Sequence, residues 1–187
     1  MADAKLNVLV ICGSLRKGSF NASVARALPA LAPPNMTLSD APPFGGFPVF
    51  NADLKDASGE PPDVIDWARA IRSADGVIIV SPEYNWSIPG GLKNAIDWVS
   101  RMKDVPFKDK PVALQSASGG PLGASRMQYH LRQTLVSIDA FMFGKPEIFV
   151  SFADKKIVNG ELTDQPTKDI IKKQLEGFAK FIERVRA

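Results

Sequence analysis

One run of nine residues, Gly13-Ser14-Leu15-Arg16-Lys17-Gly18-Ser19-Phe20-Asn21, collects the groups that an anion requires. Ser14, Ser19 and Asn21 offer hydroxyl or amide donors, Arg16 and Lys17 offer positive charge, and the glycines allow close approach of the backbone. The run follows the apolar stretch Leu6 to Cys12 and precedes Phe20, Val24 and Leu28, which are spaced four apart as on one helix face. A strand–loop–helix corner is therefore expected. The unpaired amides and the positive dipole end of such a helix favour phosphate. A Walker loop needs Lys and then Ser or Thr after the second glycine, and here Gly18 is followed by Ser19-Phe20. The G-x-G-x-x-G dinucleotide fingerprint is absent as well. A hydroxyl-rich loop without a metal-binding pair suits a monophosphate dianion, as carried by a mononucleotide such as FMN. In isolation a Gly/Ser/Lys run is equally an ordinary solvated turn; its place between a buried strand and a helix favours the phosphate.

A flavin ring would need flat side chains and backbone donors on a rigid loop, and a second stretch supplies both. Pro82 and Pro89 stiffen the run Pro82 to Gly91, Tyr84, Trp86 and Ile88 offer surfaces, and amides near Glu83 and Asn85 are placed to meet a polar ring edge. A third run, Ala117 to Gly123, contains Gly119 and Gly120, which would let it approach the same edge. Tyr84 and Trp86 also fit ordinary packing under a helix, but within a proline-fixed loop at a strand end the pocket is the better reading. Other chemistry finds no support. One cysteine and one histidine make no metal cluster, no G-x-S-x-G elbow occurs, and His130 reads as a helix-surface residue. Glu83 has the chemistry of a base, yet a flavin would carry the redox step without one, so no catalytic side chain and no metal are assigned.

These loops need strands that end together. Apolar runs predict strands at Leu6–Cys12, Met36–Ser39, Gly76–Ser81 and Val112–Ser116, with a fifth inside Phe141–Phe152. Between them, helical periodicity predicts one helix ending near Pro29 to Pro34 and one that turns Val64, Ile65, Ala68 and Ile71 or Arg72 inward. Two more are expected over about Leu92–Arg101 and Ser125–Ser137, and a final one is marked by Ile171, Leu175, Phe178, Ile182 and Val185. Val158 to Leu162 reads as a tight turn. From Asp40 to Pro62, prolines and glycines forbid a regular element over most of the segment. Its Phe44, Phe47, Val49 and Phe50 point to a subunit contact or a site wall, unless they fold back onto their own domain. Strands alternating with helices predict an α/β fold: a doubly wound, five-stranded parallel sheet of order 2-1-3-4-5 with helices on both faces, in one domain over 1–187. Ligands of such sheets bind where strands one and three part, and the three special loops would converge there.

At 187 residues and 45% hydrophobic content, the chain is long enough for one full core and short for two. Lys and Arg exceed Asp and Glu by 23 to 20, a mild basic balance that suits anionic small molecules and does not by itself argue for nucleic acid. The single Cys12 forms no intrachain disulfide, and no signal peptide or long apolar segment is visible. A cytoplasmic setting with neither a nucleic-acid nor a membrane partner is expected.

Together, the Gly13 to Asn21 loop, the run Ser81 to Trp98, Ser116-Ala117-Ser118-Gly119-Gly120 and Gln128 to Gln133 resemble the NADPH-dependent FMN reductase family, and most closely its chromate and quinone reductase branch. The resemblance implies a flavodoxin-like fold, noncovalent FMN and NAD(P)H as reductant. It implies that Ser14, Arg16, Ser19 and Asn21 hold the FMN phosphate, while Pro82, Glu83, Tyr84, Asn85, Ser116 and Gly119 line the ring and ribityl chain. The implied activity is ping-pong reduction of quinones, azo or nitro compounds, free flavin or metal oxyanions such as chromate, with the flavin N5 carrying the hydride. A homodimer or homotetramer is implied too, with Tyr84, Arg126, Tyr129 and Glu147 placed to bridge subunits. The rival readings are a flavodoxin-type electron carrier and a flavin-binding redox sensor. Such carriers are usually acidic, whereas this chain has a sequence pI near 9.0.

Overall fold

The computed structural model describes residues 5–186; the remaining positions of the expected 1–187 domain lie outside the described residues. Strands β1 (Leu6–Cys12), β3 (Gly76–Val80) and β4 (Pro111–Ala117) form the centre of a parallel sheet, and β3 and β4 are buried at every residue. That is what unbroken apolar runs require, because helices cover both faces and leave neither to water. β2 (Met36–Asp40) pairs with the outer side of β1, and the strand order is β2-β1-β3-β4-β5, as expected. The fifth position departs from expectation in one detail. It is shared by two short segments, β5 (Phe141–Met142) on Pro111–Val112 and β6 (Ile148–Val150) on Gln115–Ala117. Gly144 and Pro146 lie in the gap between them, and proline has no N–H for a ladder.

Successive strand residues face opposite cores. Leu9, Ile11, Val77, Ile79, Val112 and Leu114 pack under α3 (Pro62–Ser73), α4 (Gly90–Ser100) and α5 (Ser125–Val136). Val8, Val10, Ile78, Val80 and Ala113 pack under α1 (Phe20–Leu31) and α7 (Gln165–Arg186), the latter preceded by the single turn α6 (Ala153–Lys156). On α3 the inward residues are Val64, Trp67, Ala68 and Ile71, not Ile65, which is exposed. The spacing i, i+3, i+4, i+7 explains the correction, since residue i+1 lies about 100° around the helix. A short hairpin, β7 (Ile157–Val158) and β8 (Glu161–Leu162), turns through Asn159 (φ 51°) and Gly160 (φ 80°), the left-handed pair of a tight hairpin turn. Among the described residues, no helix is long and apolar enough to cross a membrane.

The segment from Asp40 to Pro62 is irregular over most of its length, as expected. It contains a helix, α2 (Ala52–Ser58), whose start is capped by Asn51 accepting from the Asp53 N–H at 2.9 Å and which stops at Gly59 (φ 74°). The helix occupies the stretch free of proline and glycine between Pro48 and Gly59. Its aromatic neighbours fold back onto their own domain, one of the expected alternatives, with Phe44 buried and Phe47 and Phe50 half-buried. Phe44 and Phe47 meet the Trp67 ring edge-on at 6.2 Å each, and Phe50 meets Trp98 at 5.1 Å. The backbone is held to α4 by Asn94, which donates to the Pro48 carbonyl at 2.9 Å and accepts from the Phe50 N–H at 2.8 Å. Trp98 donates to the same Pro48 carbonyl at 2.7 Å. Asn94→Ala removes both amide contacts, so a loss of about 1–3 kcal/mol is expected, read by urea unfolding as a lower midpoint with an unchanged slope.

Candidate functional site

The three polar loops meet because three strands end at one level. In the parallel register Cys12 lies beside Val80, and Val80 beside Gln115. The ladder runs one step beyond the strands: the Gly13 N–H donates to the Val80 carbonyl at 2.9 Å and the Ser81 N–H to the Gln115 carbonyl at 3.0 Å. Gly13 is required by this approach. A Cβ there would lie 2.3 Å from Ser81 Oγ and 3.0 Å from Leu92 Cδ2, closer than any side chain allows.

In the first loop, Ser19 is the N-cap of α1, its hydroxyl accepting from the Asn21 N–H at 3.1 Å, and the first turn of that helix carries no acidic residue. The Arg16 guanidinium donates to the Gly18 carbonyl at 2.9 Å and stands 5.9 Å from the Phe20 ring centroid, while the Arg16 N–H reaches Ser14 Oγ at 3.4 Å. Among the described residues, the backbone N–H groups of Ser14, Leu15, Lys17, Gly18 and Phe20 have no acceptor. Unpaired donors at a helix start beside two cations make a concavity for an anion, and these residues fit a phosphate.

The second loop turns sharply at its tip. Tyr84 and Ser87 exchange two backbone hydrogen bonds of 3.0 Å, and between them Asn85 (φ 49°) and Trp86 (φ 67°) are both left-handed. That conformation costs about 1–3 kcal/mol at a residue with a side chain, so the surroundings must hold it. Several contacts to α5 do. The Arg126 guanidinium lies 4.2 Å over the Trp86 ring and 3.3 Å from Glu83 Oε1. Glu83 Oε2 accepts from the Met127 N–H at 3.2 Å, and His130 Nδ1 is 3.1 Å from Ser87 Oγ. Ala124, the residue before α5, has no side chain to cap it, so Glu83 serves as the anionic cap from another loop. Both Glu83 oxygens are thus engaged in holding the loop, whose Glu83, Asn85 and Trp86 N–H groups have no acceptor among the described residues. Trp86 itself is 67% exposed and Tyr84 49%.

In the third loop the structure gives two expected ligand residues internal partners. Ser116 is fully buried; its hydroxyl donates to the Gly123 carbonyl at 2.6 Å and accepts from Gln128 Nε2 at 2.8 Å. Gln128 also donates to the Ile148 carbonyl at 2.8 Å, tying α5, β4 and β6 together. Asn21 is likewise buried, with both ends of its amide on Ala117 at 2.9 Å. Gly119 and Gly120 lie exposed, with N–H groups that have no acceptor among the described residues. The crevice rim therefore consists of Ser14, Arg16, Pro82, the Tyr84–Asn85 turn and Gly119, while Ser19, Asn21, Glu83 and Ser116 sit behind it, Ser19 buried with its hydroxyl used as the cap of α1. Gln128 and the Arg126–Trp86 stack carry positions that the sequence reading did not assign. The spacing of Gln128 with Leu131 and Leu135 on the inward face of α5 was a usable signal for the first.

The expected bridging set is arranged differently within one chain. Arg126 pairs with Glu83, Glu147 lies 3.6 Å from Arg132, and the Tyr129 ring stands 6.4 Å from that of Phe149. Cys12 lines a cavity of about 370 Å³ that the first loop itself walls through Ser14 and Leu15, with Arg26, Asp40 and Phe44 on its other sides. Burial pushes its thiol pKa up, which keeps it protonated and poorly nucleophilic at neutral pH. Another cavity of about 470 Å³ lies between α4 and α5, lined by Arg101, Lys108 and Thr134 toward the opposite ends of those helices from the loops. Among the described residues, no group of His, Cys, Asp and Glu is placed to hold a metal ion. Gly13→Ala forces the first two loops apart, and a loss of about 1–3 kcal/mol is expected in chemical unfolding, against little change for Gly18→Ala, which meets nothing within 4 Å.

Comparison with known proteins agrees with this geometry. Residues 6–155 match the NADPH-dependent FMN reductase family. A quinone reductase of Escherichia coli is 49% identical over 184 residues, covering 97% of this chain and 98% of that protein. An NAD(P)H-dependent FMN reductase of Pseudomonas aeruginosa is 42% identical over 182 residues, covering 97% of each. Among solved structures, FerB, a flavoenzyme NAD(P)H:(acceptor) oxidoreductase from Paracoccus denitrificans, superposes with a TM-score of 0.86 at 31% identity, covering 96% of this chain and 98% of FerB. With a family match over most of the chain, relatives 42% and 49% identical over nearly full length and a common fold, the chain belongs to the NADPH-dependent FMN reductase family.

Proposed function

We propose that this protein is an NAD(P)H-dependent quinone reductase that holds FMN in the crevice between its three loops. The observation that carries the reading is the set of unpaired amides at the start of α1, beside Arg16 and Lys17 and within one ladder step of the aromatic turn. Bound there, FMN would supply the transfer of a hydride's electron pair from NAD(P)H to an acceptor. The chain's own part is positional. Ser14, Arg16 and the amides of the first loop would hold the phosphate, with Ser19 behind them as the cap of α1, while the amides of Glu83, Asn85 and Gly119 would meet the polar ring edge. Pro82 and Tyr84 would stand beside the ring. The Glu83 carboxylate keeps the turn in place through Arg126 and Met127 and needs no part in proton transfer.

The exposed loop tips leave a path for the nicotinamide, and Arg16, Lys17 and Arg126 give that rim a positive potential that attracts an anionic dinucleotide. Quinones are the acceptor class carried by the names of several relatives; azo and nitro compounds, free flavin and chromate are further acceptors that an open rim would admit. An electron-carrier role fits less well with a sequence pI near 9.0 and with full-length similarity to reductases. The assembly is a homodimer or homotetramer. Tyr84, Trp86, Leu122 and Tyr129 lie exposed on the second loop, the third loop and the start of α5, and a second copy would cover them, whereas Phe44, Phe47 and Phe50 already pack on their own core.

Three measurements test this reading. Arg16→Ala removes a charge-assisted contact worth roughly 1.5–3 kcal/mol, so FMN should bind about tenfold or more weakly by fluorescence titration, and an unchanged titration would withdraw the phosphate assignment. Initial rates with NAD(P)H and a quinone should give parallel double-reciprocal lines, and intersecting lines would rule out alternating occupancy of one face. Sedimentation at micromolar concentration should show a dimer or tetramer; a clean monomer would sink the proposed assembly.

A further inference from the structure

We propose that Asn21 is a positioning residue of the flavin site: it locks the first loop to the third through Ala117 and does not itself contact the phosphate. This role rests on the FMN reading of the crevice. The geometry is that of a side chain completing a sheet. β3 ends at Val80, and the last β3-side contact of β4 is the Ser81 N–H on the Gln115 carbonyl. β4 runs on to Ala117, whose N–H and carbonyl point the same way as those of Gln115, two residues earlier. No strand remains there to pair with them. On the opposite side the strand stays paired, with the Ser118 N–H donating to the Val150 carbonyl at 3.0 Å. Asn21 supplies the missing rung: its Nδ2 donates to the Ala117 carbonyl and its Oδ1 accepts from the Ala117 N–H, both at 2.9 Å.

The pairing uses one Nδ2–H and one lone pair of the amide, and burial at 2% exposure keeps what remains of its hydrogen-bonding capacity away from the open loop. The contact lies between the two things a flavin must span. Three residues before Asn21 is Gly18 of the phosphate loop, and two after Ala117 is Gly119 of the ring-edge loop. This pair ties the first turn of α1 to the end of β4, and so helps to set the separation of phosphate donors from ring-edge donors. Asn94 uses the same amide pairing to hold residues 48–50, away from the crevice, and serves as a control for loss of an amide clamp as such.

The test uses full-length protein freed of flavin and titrated with FMN and with riboflavin, which shares the ring and lacks the phosphate. Asn21→Ala is expected to weaken both by a similar factor of about tenfold, equivalent to about 1.4 kcal/mol of lost positioning. Arg16→Ala should weaken FMN alone, and Asn94→Ala neither. A loss confined to FMN in Asn21→Ala would make Asn21 a direct phosphate ligand and overturn the proposal, as would unchanged affinities or an equal loss in Asn94→Ala. Should Asn21→Ala fail to fold, Asn21→Asp decides. Its carboxylate accepts from the Ala117 N–H but repels the carbonyl, whereas the protonated acid donates to it, so riboflavin affinity relative to wild type should rise as pH falls from 8 to 5. A flat ratio overturns the proposal. Wild-type protein that takes up neither flavin overturns the FMN reading, and this role with it.

Discussion

The site depends on the close approach of Gly13 to Ser81 at the ends of β1 and β3. Parallel neighbours in a sheet lie under 5 Å apart, and their following loops must separate or pack. Here they pack, because Gly13 has no Cβ and the space it leaves is filled by the Ser81 side chain and Leu92. Everything at the crevice is measured from that contact. It sets the start of α1 beside the tip of the second loop, at the point where the strand order reverses and helices depart to opposite faces. A crevice opens there because the two helices diverge, with α1 on one face and α4 on the other.

Polar side chains around the crevice divide into those at the rim and those behind it. The hidden ones do structural work with polar chemistry: Asn21 completes a β-ladder, Ser116 and Gln128 join β4 to α5 and β6, and Glu83 caps a helix that has no cap of its own. Each holds a backbone segment that no hydrophobic contact could orient as narrowly, since hydrogen bonds are directional and burial is not. The arrangement also supports the left-handed Asn85–Trp86 tip, whose backbone cost is offset by the guanidinium stack and the paired Tyr84 and Ser87 backbone. Ligand-facing donors are thereby left on rigid supports, with little ordering to be done when a ligand arrives.

Much of this was legible in the sequence, for a physical reason. Backbone periodicity and turn chemistry are local, so the apolar runs of β1, β3 and β4, the capped start of α1 and the Asn159-Gly160 hairpin follow from neighbouring residue types. Parallel alternation of strands and helices then leaves few topologies, and the observed order is the one those rules select. The strand–loop–helix corner at Gly13 to Asn21 was equally readable, because its polar residues are consecutive. What stayed hidden in the local pattern was partnership. The same asparagine type and small polar neighbours serve a phosphate or a peptide group equally well, and only the register of β4 beyond β3 assigns Asn21 to Ala117. Tertiary packing likewise decided that Phe44, Phe47 and Phe50 face Trp67 and Trp98 instead of solvent, and that Arg126 stacks on Trp86 and pairs with Glu83. These contacts join residues tens of positions apart, and which of several chemically adequate partners a side chain takes is settled by distance, which sequence does not carry until the chain has folded.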